Sequence, residues 1–240
     1  VEEIYLSDTI ENLPNYETVA IVAPKDSFPV GHLKQLDSYL AKGGKLVVAI
    51  NRVEGDLSTA SGKSLETGLE SWLKEKGISV ENNFVVDANC GSVGVRQQQG
   101  FFNFTTNVRF PFLPIISEFA DHPLTAGLET VILPFASSLS FTGDSTQQYT
   151  PLAFTSDKSG TRSAPLYFDV QKQWQESDFP LSRLPLAAVL SSNFGGQQLS
   201  HMVVIGDGDF AVNGEGQQAQ QLQGDNVSFL VNAIDWLSDD

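Results

Sequence analysis

The sequence predicts an α/β fold in which helices flank a mainly parallel central sheet, with β-rich additions in the middle of the chain. Residues 18–50 read as strand, helix and strand, which is the βαβ arrangement of a parallel sheet with a right-handed crossover. A buried strand followed by an amphipathic helix closes the chain, over residues 202–237. Between these ends, short strand patterns are broken by proline and polar turns. No linker, charge block or internal repeat separates the parts, so we expect a single domain over residues 1–240.

The first half of the chain supplies the βαβ unit. The run "TVAIVAP" predicts a strand at 19–23 that is buried on both faces and ends at a proline. A helix is predicted at 30–42, because three leucines fall on one stripe and Gly43 with Gly44 provides a left-handed stop. The apolar run "KLVVAI" predicts the next strand at 45–50.

Further elements continue the alternation. A helix is predicted at 64–76, where Leu69, Trp72 and Leu73 share a face and Gly77 ends the pattern. "ISVENNFVVD" follows as strand. Near the other end, a strand is predicted at 202–206 and a last helix at 226–237, with Asp225 as its N-cap.

The composition excludes several classes of function. Lys and Arg number 14 against 29 Asp and Glu, a net charge of −15, and such a surface repels the phosphate backbone of nucleic acids. The single cysteine, Cys90, has no intramolecular disulfide partner, and no C-x-x-C pair is present. No apolar run approaches the ~18 residues of a membrane span, and Val1 opens into "VEEIYLSD" rather than a basic and apolar leader. We therefore expect a soluble chain.

Polar residues follow three of the predicted strands and form the candidate ligand-binding site. Lys25 follows the first strand, Asn51 the second, and Asp207 and Asp209 the strand near the end. The carboxyl ends of parallel strands are where such sheets bind ligands. A calcium loop of the EF-hand type is excluded by spacing, and "GDGDF" matches no phosphate-binding motif. A looser magnesium or calcium site stays open, but the favoured interpretation is that the aspartates accept loop amide hydrogens, so we predict no metal and no cofactor.

Cys90 is the candidate nucleophile, and we predict that it is not one. It lies in "VVDANCGSVG" after a strand, but without a G-x-C-x-G elbow or a following helix that would lower the pKa of its thiol. None of His32, His122 and His201 is placed by the sequence as its partner base. No catalytic residue is therefore predicted.

A phenylalanine-rich segment at 101–112 is the candidate partner-binding surface. It holds five phenylalanines outside any periodic element, and some of them must enter the core. Either all five cover the sheet, or some form an exposed aromatic docking patch. Phe101, Phe102 and Phe104 are the predicted docking residues. The net charge of −15 favours a protein partner over anionic lipid.

Five segments, in this order and spacing, resemble the extracytoplasmic domain of GldG-type auxiliary components of bacterial ABC transporters, known from gliding-motility systems of Bacteroidetes. The resemblance runs from about Tyr16 to Leu237. The segments are "YETVAIVAPKDSFPVGHLKQLDSYLAKGGKLVVAINRV", "LESWLKEKGISVENNFVVDANCG", "DHPLTAGLETVILPFASSLSF", "MVVIGDGDFAVN" and "DNVSFLVNAIDWL".

The resemblance implies a flavodoxin-like fold related to class I glutamine amidotransferases but without their catalytic apparatus. Family members are membrane-tethered accessories that work beside an ABC-2 type permease and an ATPase, at the periplasmic face of the inner membrane. The expected partner is thus a permease or a sister subunit, with the tether outside this chain. The family's strand-end "GDxDF" pattern matches Asp207, Asp209 and Phe210. The alternative is a hydrolase or sugar-binding protein with its site at the carboxyl edge of the sheet.

Overall fold

The computed structural model describes residues 2–7, 12–99, 102–213 and 222–239 of the chain. Within these ranges it contains sixteen β-strands and three α-helices. The helices are α1 (Val30–Ala41), α2 (Leu69–Lys76) and α3 (Gly224–Asp239). The strands are β1 (Thr18–Val22), β2 (Lys45–Ala49), β3 (Val53–Asp56), β4 (Ser61–Ser64), β5 (Ile78–Val80), β6 (Asn83–Asp87), β7 (Cys90–Gln99), β8 (Phe102–Ile116), β9 (Glu118–Phe119), β10 (Val131–Ile132), β11 (Leu139–Phe141), β12 (Gln148–Phe154), β13 (Ser159–Ser163), β14 (Leu166–Tyr167), β15 (Pro185–Ser192) and β16 (Ser200–Ile205).

The predicted fold class, a mainly parallel sheet flanked by helices, is wrong. The central sheet has six strands in the order β1-β2-β16-β15-β12-β9, and only the pairs β1–β2 and β2–β16 are parallel. The other three pairs are antiparallel. The remaining described sheets are small and antiparallel, in the orders β10-β8-β7, β11-β5, β13-β6 and β14-β4-β3. The protein is therefore built mostly of β-strands in mixed and antiparallel sheets.

The physical reason for the error lies in strands that are covered on both faces. Such strands read as continuous apolar runs whether their neighbours are parallel or antiparallel, because the alternation of polar and apolar residues is lost. β15 is such a run, with Leu186 to Leu190 buried. It is joined to β16 by the short connection 193–199, which suits an antiparallel pair and is too short for a parallel crossover.

Most of the individually predicted elements are confirmed. The strands predicted at the two ends of the chain correspond to β1, β2 and β16, and two of the predicted helices correspond to α1 and α3. The helix predicted at 64–76 begins only at Leu69, because residues 61–64 pair as β4 with both β3 and β14. Gly68 then supplies a left-handed residue, with φ 88°, immediately before α2.

Two apolar layers cover the faces of the central sheet. On one face Val47 and Val203 pack in a cluster with Phe229 of α3. On the other face Leu46 packs in a cluster with Leu36 of α1 and residues of α2. Each fully buried side chain of this size contributes about 1.5–3 kcal/mol relative to exposure. These layers hold the parallel strands in place and so fix where their carboxyl ends lie.

A third cluster is aromatic and lies at the base of the β7–β8 hairpin. Phe84 of β6 makes edge-to-face contacts with Phe112 and Phe168, with ring centroids 6.0 and 5.8 Å apart. Phe110 lies 5.2 Å from Phe112 by the same measure. Pairs of this kind add about 0.5–1.5 kcal/mol each beyond burial. Two of the five phenylalanines in segment 101–112 therefore belong to the core.

Beyond this cluster the β7–β8 hairpin is a two-stranded arm. Its register runs from the pair Ser92 and Arg109 out to the pair Gln99 and Phe102. On β8 the side chains at 104–107 are exposed. On β7 the described side chains between 92 and 98 alternate between exposed and half-buried. No Asp or Glu occurs from residue 88 to residue 117. The arm therefore presents polar, basic and aromatic groups on a strongly acidic protein.

None of the helices in the described ranges is long and apolar enough to cross a membrane.

Candidate functional site

Three of the four predicted ligand-binding residues meet at the carboxyl edge of the central sheet. β2 and β16 are parallel neighbours, so the residues that follow them emerge side by side. The Asn51 side-chain amide donates to Asp209 Oδ2 at 2.8 Å, and Asn51 Oδ1 accepts from the Gly208 amide at 2.7 Å. The Asp209 amide donates to Asp207 Oδ1 at 2.8 Å. We call Asn51, Asp207, Gly208 and Asp209 the carboxyl-edge network.

Glycines allow this loop to pass close to neighbouring backbone. A Cβ atom on Gly206 would collide with the carbonyl oxygen of Ser137, which belongs to the segment before β11. A Cβ atom on Gly208 would lie 2.8 Å from Cα of Ala23 and 3.0 Å from the carbonyl oxygen of Ala49. Real Cβ atoms do not approach other atoms so closely, so any other residue would displace the loop.

Asp207 is the electrostatically unusual member of the network. Its side chain is completely buried, and its Oδ2 atom has no hydrogen-bond partner among the described residues. Burial raises the pKa of this carboxyl well above its ordinary value, and the neighbouring Asp209 carboxylate raises it further. Asp209, in contrast, is exposed. The network therefore pairs a carboxyl that resists ionisation with one that faces solvent.

Lys25 is not part of this network. It is exposed in the loop after β1, where it lines a cleft of about 580 Å³ beside the N-terminal end of α1. Asn51, Asp207 and Asp209 are not among the residues that line this cleft. The cleft is lined by Ile4, Tyr5, Leu6, Leu13, Val19, Ala20, Ile21, Pro24, Lys25, Asp26, Ser27, Phe28, Pro29, His32 and Leu36.

The distribution of ligating side chains bears on the predicted absence of a metal. Across the described ranges, no three His, Cys, Asp or Glu side chains are grouped so that they could hold a metal ion. The favoured role of the aspartates is confirmed for Asp207, which accepts a loop amide. That this loop binds no metal stays a prediction. Calorimetry with calcium and magnesium checks it, and micromolar binding lost in Asp209→Asn would contradict it.

Cys90 occupies the first position of β7 rather than a strand-to-helix elbow. Burial raises the pKa of its thiol, while a hydrogen bond with the Arg109 guanidinium opposes that shift. Two of the histidines have other contacts: His122 Nδ1 accepts from the Leu124 amide, and His201 Nδ1 bonds the Ser191 hydroxyl. Burial thus disfavours the thiolate form of Cys90, and the absence of a nucleophile stays a prediction.

Of the three predicted docking residues, the structure describes the side chain of Phe104 alone. Phe104 is 42% exposed on β8, as a docking residue requires. Phe101 lies outside the described residues, and so does the side chain of Phe102, whose backbone pairs with Gln99.

The prediction that Asp225 caps the N-terminus of α3 is wrong. Asp225 is not an N-cap, because the helix already begins at Gly224; its carboxylate accepts instead from the amides of Glu129 and Thr130. Asn226 is buried, and its side chain exchanges two hydrogen bonds with the backbone of Ile132 and donates a third to Phe210 O. The only signal in the sequence was two polar residues at the start of an amphipathic helix.

A solved structure shares this fold. The N-terminal domain of mmIFT52 superposes with a TM-score of 0.60 at 19% identity, over 98% of this chain and 83% of that one. Two ThuA-like proteins superpose less well. The one from Bacteroides uniformis has a TM-score of 0.44 at 15% identity, over 95% of this chain and 71% of its own. The one from Parabacteroides merdae has a TM-score of 0.46 at 12% identity, over 95% and 72%. At these identities the likeness to mmIFT52 defines the fold alone.

The family is defined by the sequence. Residues 1–233 match the model of the family described as "ABC-type uncharacterized transport system", and the chain belongs to that family. It is therefore an auxiliary component of an ABC-type transport system. No curated protein is significantly similar to the chain.

Proposed function

We propose that this chain is the extracytoplasmic domain of a GldG-type auxiliary component, held at the periplasmic face of the bacterial inner membrane by segments outside it. In this proposal it is a non-catalytic binding module that docks on the membrane permease or a sister subunit of its transport system, as in gliding-motility systems. Membership of the ABC-type transport family supports a transporter component as the partner.

The observation that carries the docking role is the chemistry of the β7–β8 arm. The arm lies within the 30-residue stretch from 88 to 117, which contains no acidic residue in a chain that has 29 of them. It also exposes Phe104. Charged residues are depleted and aromatic residues enriched at the centres of protein interfaces. Because the rest of the protein is acidic, a surface without acidic residues also orients an approaching partner toward this arm.

Site-specific photocrosslinking in the native membrane tests this proposal. A benzoylphenylalanine is placed at position 104 of the full-length protein, and the crosslinked product is identified by mass spectrometry. Phe141 on β11 is the matched control, because it is 39% exposed against 42% for Phe104 but lies in a different sheet. We expect the permease or sister subunit of the same system to be crosslinked from position 104 only. Equal crosslinking from both positions, or none from 104, would contradict the proposal.

A second candidate function is the binding of a sugar, or its hydrolysis, at the carboxyl edge. The observation that favours it is the buried Asp207 Oδ2 atom without a described partner, beside the exposed Asp209, since such orphan groups call for a specific explanation. Calorimetry with mono- and disaccharides tests it. Heat that disappears in Asp209→Asn would support this function, and the absence of heat would count against it.

A further inference from the structure

A second, smaller cleft lies between the base of the β7–β8 arm and the loop at residues 172–179. Its volume is about 330 Å³, at the lower end of the range for small-molecule sites. We call it the Arg109 cleft. It is lined by Ala88, Cys90, Val108, Arg109, Pro111, Lys172, Gln173, Trp174 and Phe179.

The described residues that line the Arg109 cleft include two basic side chains, Arg109 and Lys172, and no Asp or Glu. Lys172 and the adjacent Arg162 share one carboxylate, that of Asp178, at 2.7 and 3.0 Å. Arg109 donates to the carbonyl oxygen of Ala88 and contacts the sulfur of Cys90. In the described part of the chain, no salt bridge joins Arg109 to a carboxylate. Most of its donor groups therefore have no partner among the described residues, on a protein with twice as many acidic as basic residues.

The walls of the cleft are aromatic and apolar. Trp174 is held in place by Phe179, which stacks on it at 5.5 Å, and by Phe112 at 5.7 Å, both measured between ring centroids. The Lys172 ammonium lies 4.2 Å from the centre of the same indole, a cation–π contact that fixes its position. Val108 and Pro111 supply apolar surface beside the charges.

We propose that the Arg109 cleft binds a small organic anion, with its carboxylate or phosphate on Arg109 and Lys172 and its apolar part against Val108, Pro111 and Trp174. The planar guanidinium fork matches both head groups in a bidentate manner, and the ammonium adds a point charge. The site is separate from the carboxyl-edge network and does not depend on the docking function.

Cys90 gives a direct readout, because it lines the cleft and is the only cysteine in the chain. Its reaction is followed with two aromatic disulfides, anionic 5,5′-dithiobis(2-nitrobenzoate) and uncharged 4,4′-dithiodipyridine. In each case the thiolate attacks one sulfur, a mixed disulfide forms and the arylthiolate leaves. Both reagents react with the thiolate, so the ratio of the two rates does not depend on the fraction of Cys90 that is ionised. The same ratio for N-acetylcysteine is the reference.

We expect the anionic reagent to be favoured on Cys90 by about tenfold over the reference, although the net charge of the protein opposes its approach. Arg109→Gln and Lys172→Gln should each lower this preference. Arg96→Gln, which removes a guanidinium of the same arm outside the cleft lining, should leave it unchanged. Thermal denaturation confirms that each variant is folded. A ratio equal to that of N-acetylcysteine, or an equal effect of all three substitutions, would overturn the proposal.

Protection of Cys90 against the uncharged reagent identifies the head group. Benzoate carries a carboxylate and phenyl phosphate carries a phosphate, so a comparison of the two compounds distinguishes these head groups. Saturable protection of Cys90 by either compound supports the proposal. Inorganic phosphate, which has no apolar part, should protect more weakly at equal concentration. Failure of both organic anions to protect, or stronger protection by inorganic phosphate than by both of them, would contradict it.

Discussion

At the scale of single residues, Asp207 links the sequence pattern to the energetics of the sheet edge. Its first oxygen orders the turn by accepting the Asp209 amide, while its second oxygen is buried without a described partner. Leaving a buried polar group unsatisfied costs about 1–3 kcal/mol, and ionising it there costs more. Asp207 thus orders the loop, but burial of its carboxyl destabilises the folded state increasingly as the pH rises.

We expect Asp207→Asn to remove this pH dependence. Because the pKa of Asp207 is raised in the folded chain, the folded state holds the proton more tightly than the unfolded state. The wild type therefore loses stability as the pH rises above about 4, the ordinary aspartate value. Asparagine keeps an oxygen to accept the amide but does not ionise. The stability of the variant relative to wild type should therefore grow as the pH is raised from about 4 toward about 8.

Urea denaturation at a series of pH values measures this difference. Asp235→Asn, which changes an exposed carboxyl of α3, is the matched control for the loss of one carboxyl group. A difference for Asp207→Asn that varies with pH no more than that of the control would show that the burial of Asp207 carries no such penalty.

At the scale of elements, α3 is attached by a buried amide rather than by a helix cap. Replacement of Asn226 by Ala leaves the backbone N–H and C=O of Ile132 and the C=O of Phe210 without this partner. We expect the free energy of unfolding to fall by about 3 kcal/mol or more. Asn232→Ala is the control, since its bonds to Leu124 O and Ala126 O are longer, 3.2 and 3.3 Å, and should cost less than about 1 kcal/mol. Equal losses in denaturant titrations would contradict this account.

The β7–β8 hairpin divides into a buried base and an exposed arm, and its phenylalanines should respond accordingly. Phe112→Ala removes a side chain that is 5% exposed and packs against Phe84, Phe168 and Trp174, so we expect a loss of about 3–5 kcal/mol. Phe104→Ser, on the arm, should change stability by no more than about 0.5 kcal/mol. Denaturant titration of both variants checks this. A large loss for Phe104→Ser would place that residue in the fold rather than in an interface.

At the scale of the whole molecule, local signals in the sequence predicted elements well and their assembly poorly. Apolar runs and helix stops located β1, β2, β16, α1 and α3. The order of the strands in the sheet was not predictable in the same way. β15 and β16 both contain a continuous buried apolar run, at 186–190 and 202–205, so the direction of their pairing depends on the connection between them. Proline-broken strands in the middle proved to be antiparallel pieces of several sheets.

The candidate site was predictable where it depended on parallel strands and not elsewhere. Asn51 and Asp207 meet because β2 and β16 are parallel neighbours, as the pattern of strand ends implied. Lys25 follows the outermost strand and faces a different cleft. The Arg109 cleft joins residues between 88 and 111 to the loop at 172–179, and these two parts meet through the packing of Trp174 on Phe112, which no local pattern encodes.

In the proposed function, the β7–β8 arm attaches this domain to a membrane subunit of its transport system. The most direct measurement is the amount of that subunit which co-purifies, in mild detergent, with the full-length protein carrying a shortened arm. Residues 93–108 are replaced by a two-residue Asn-Gly turn, which suits a hairpin and retains Ser92 opposite Arg109. Phe141→Ser serves as the surface control. We predict that shortening the arm reduces the co-purified permease or sister subunit at least tenfold, corresponding to about 1.4 kcal/mol, while the control leaves it unchanged. Undiminished co-purification with a folded, shortened arm would contradict the account.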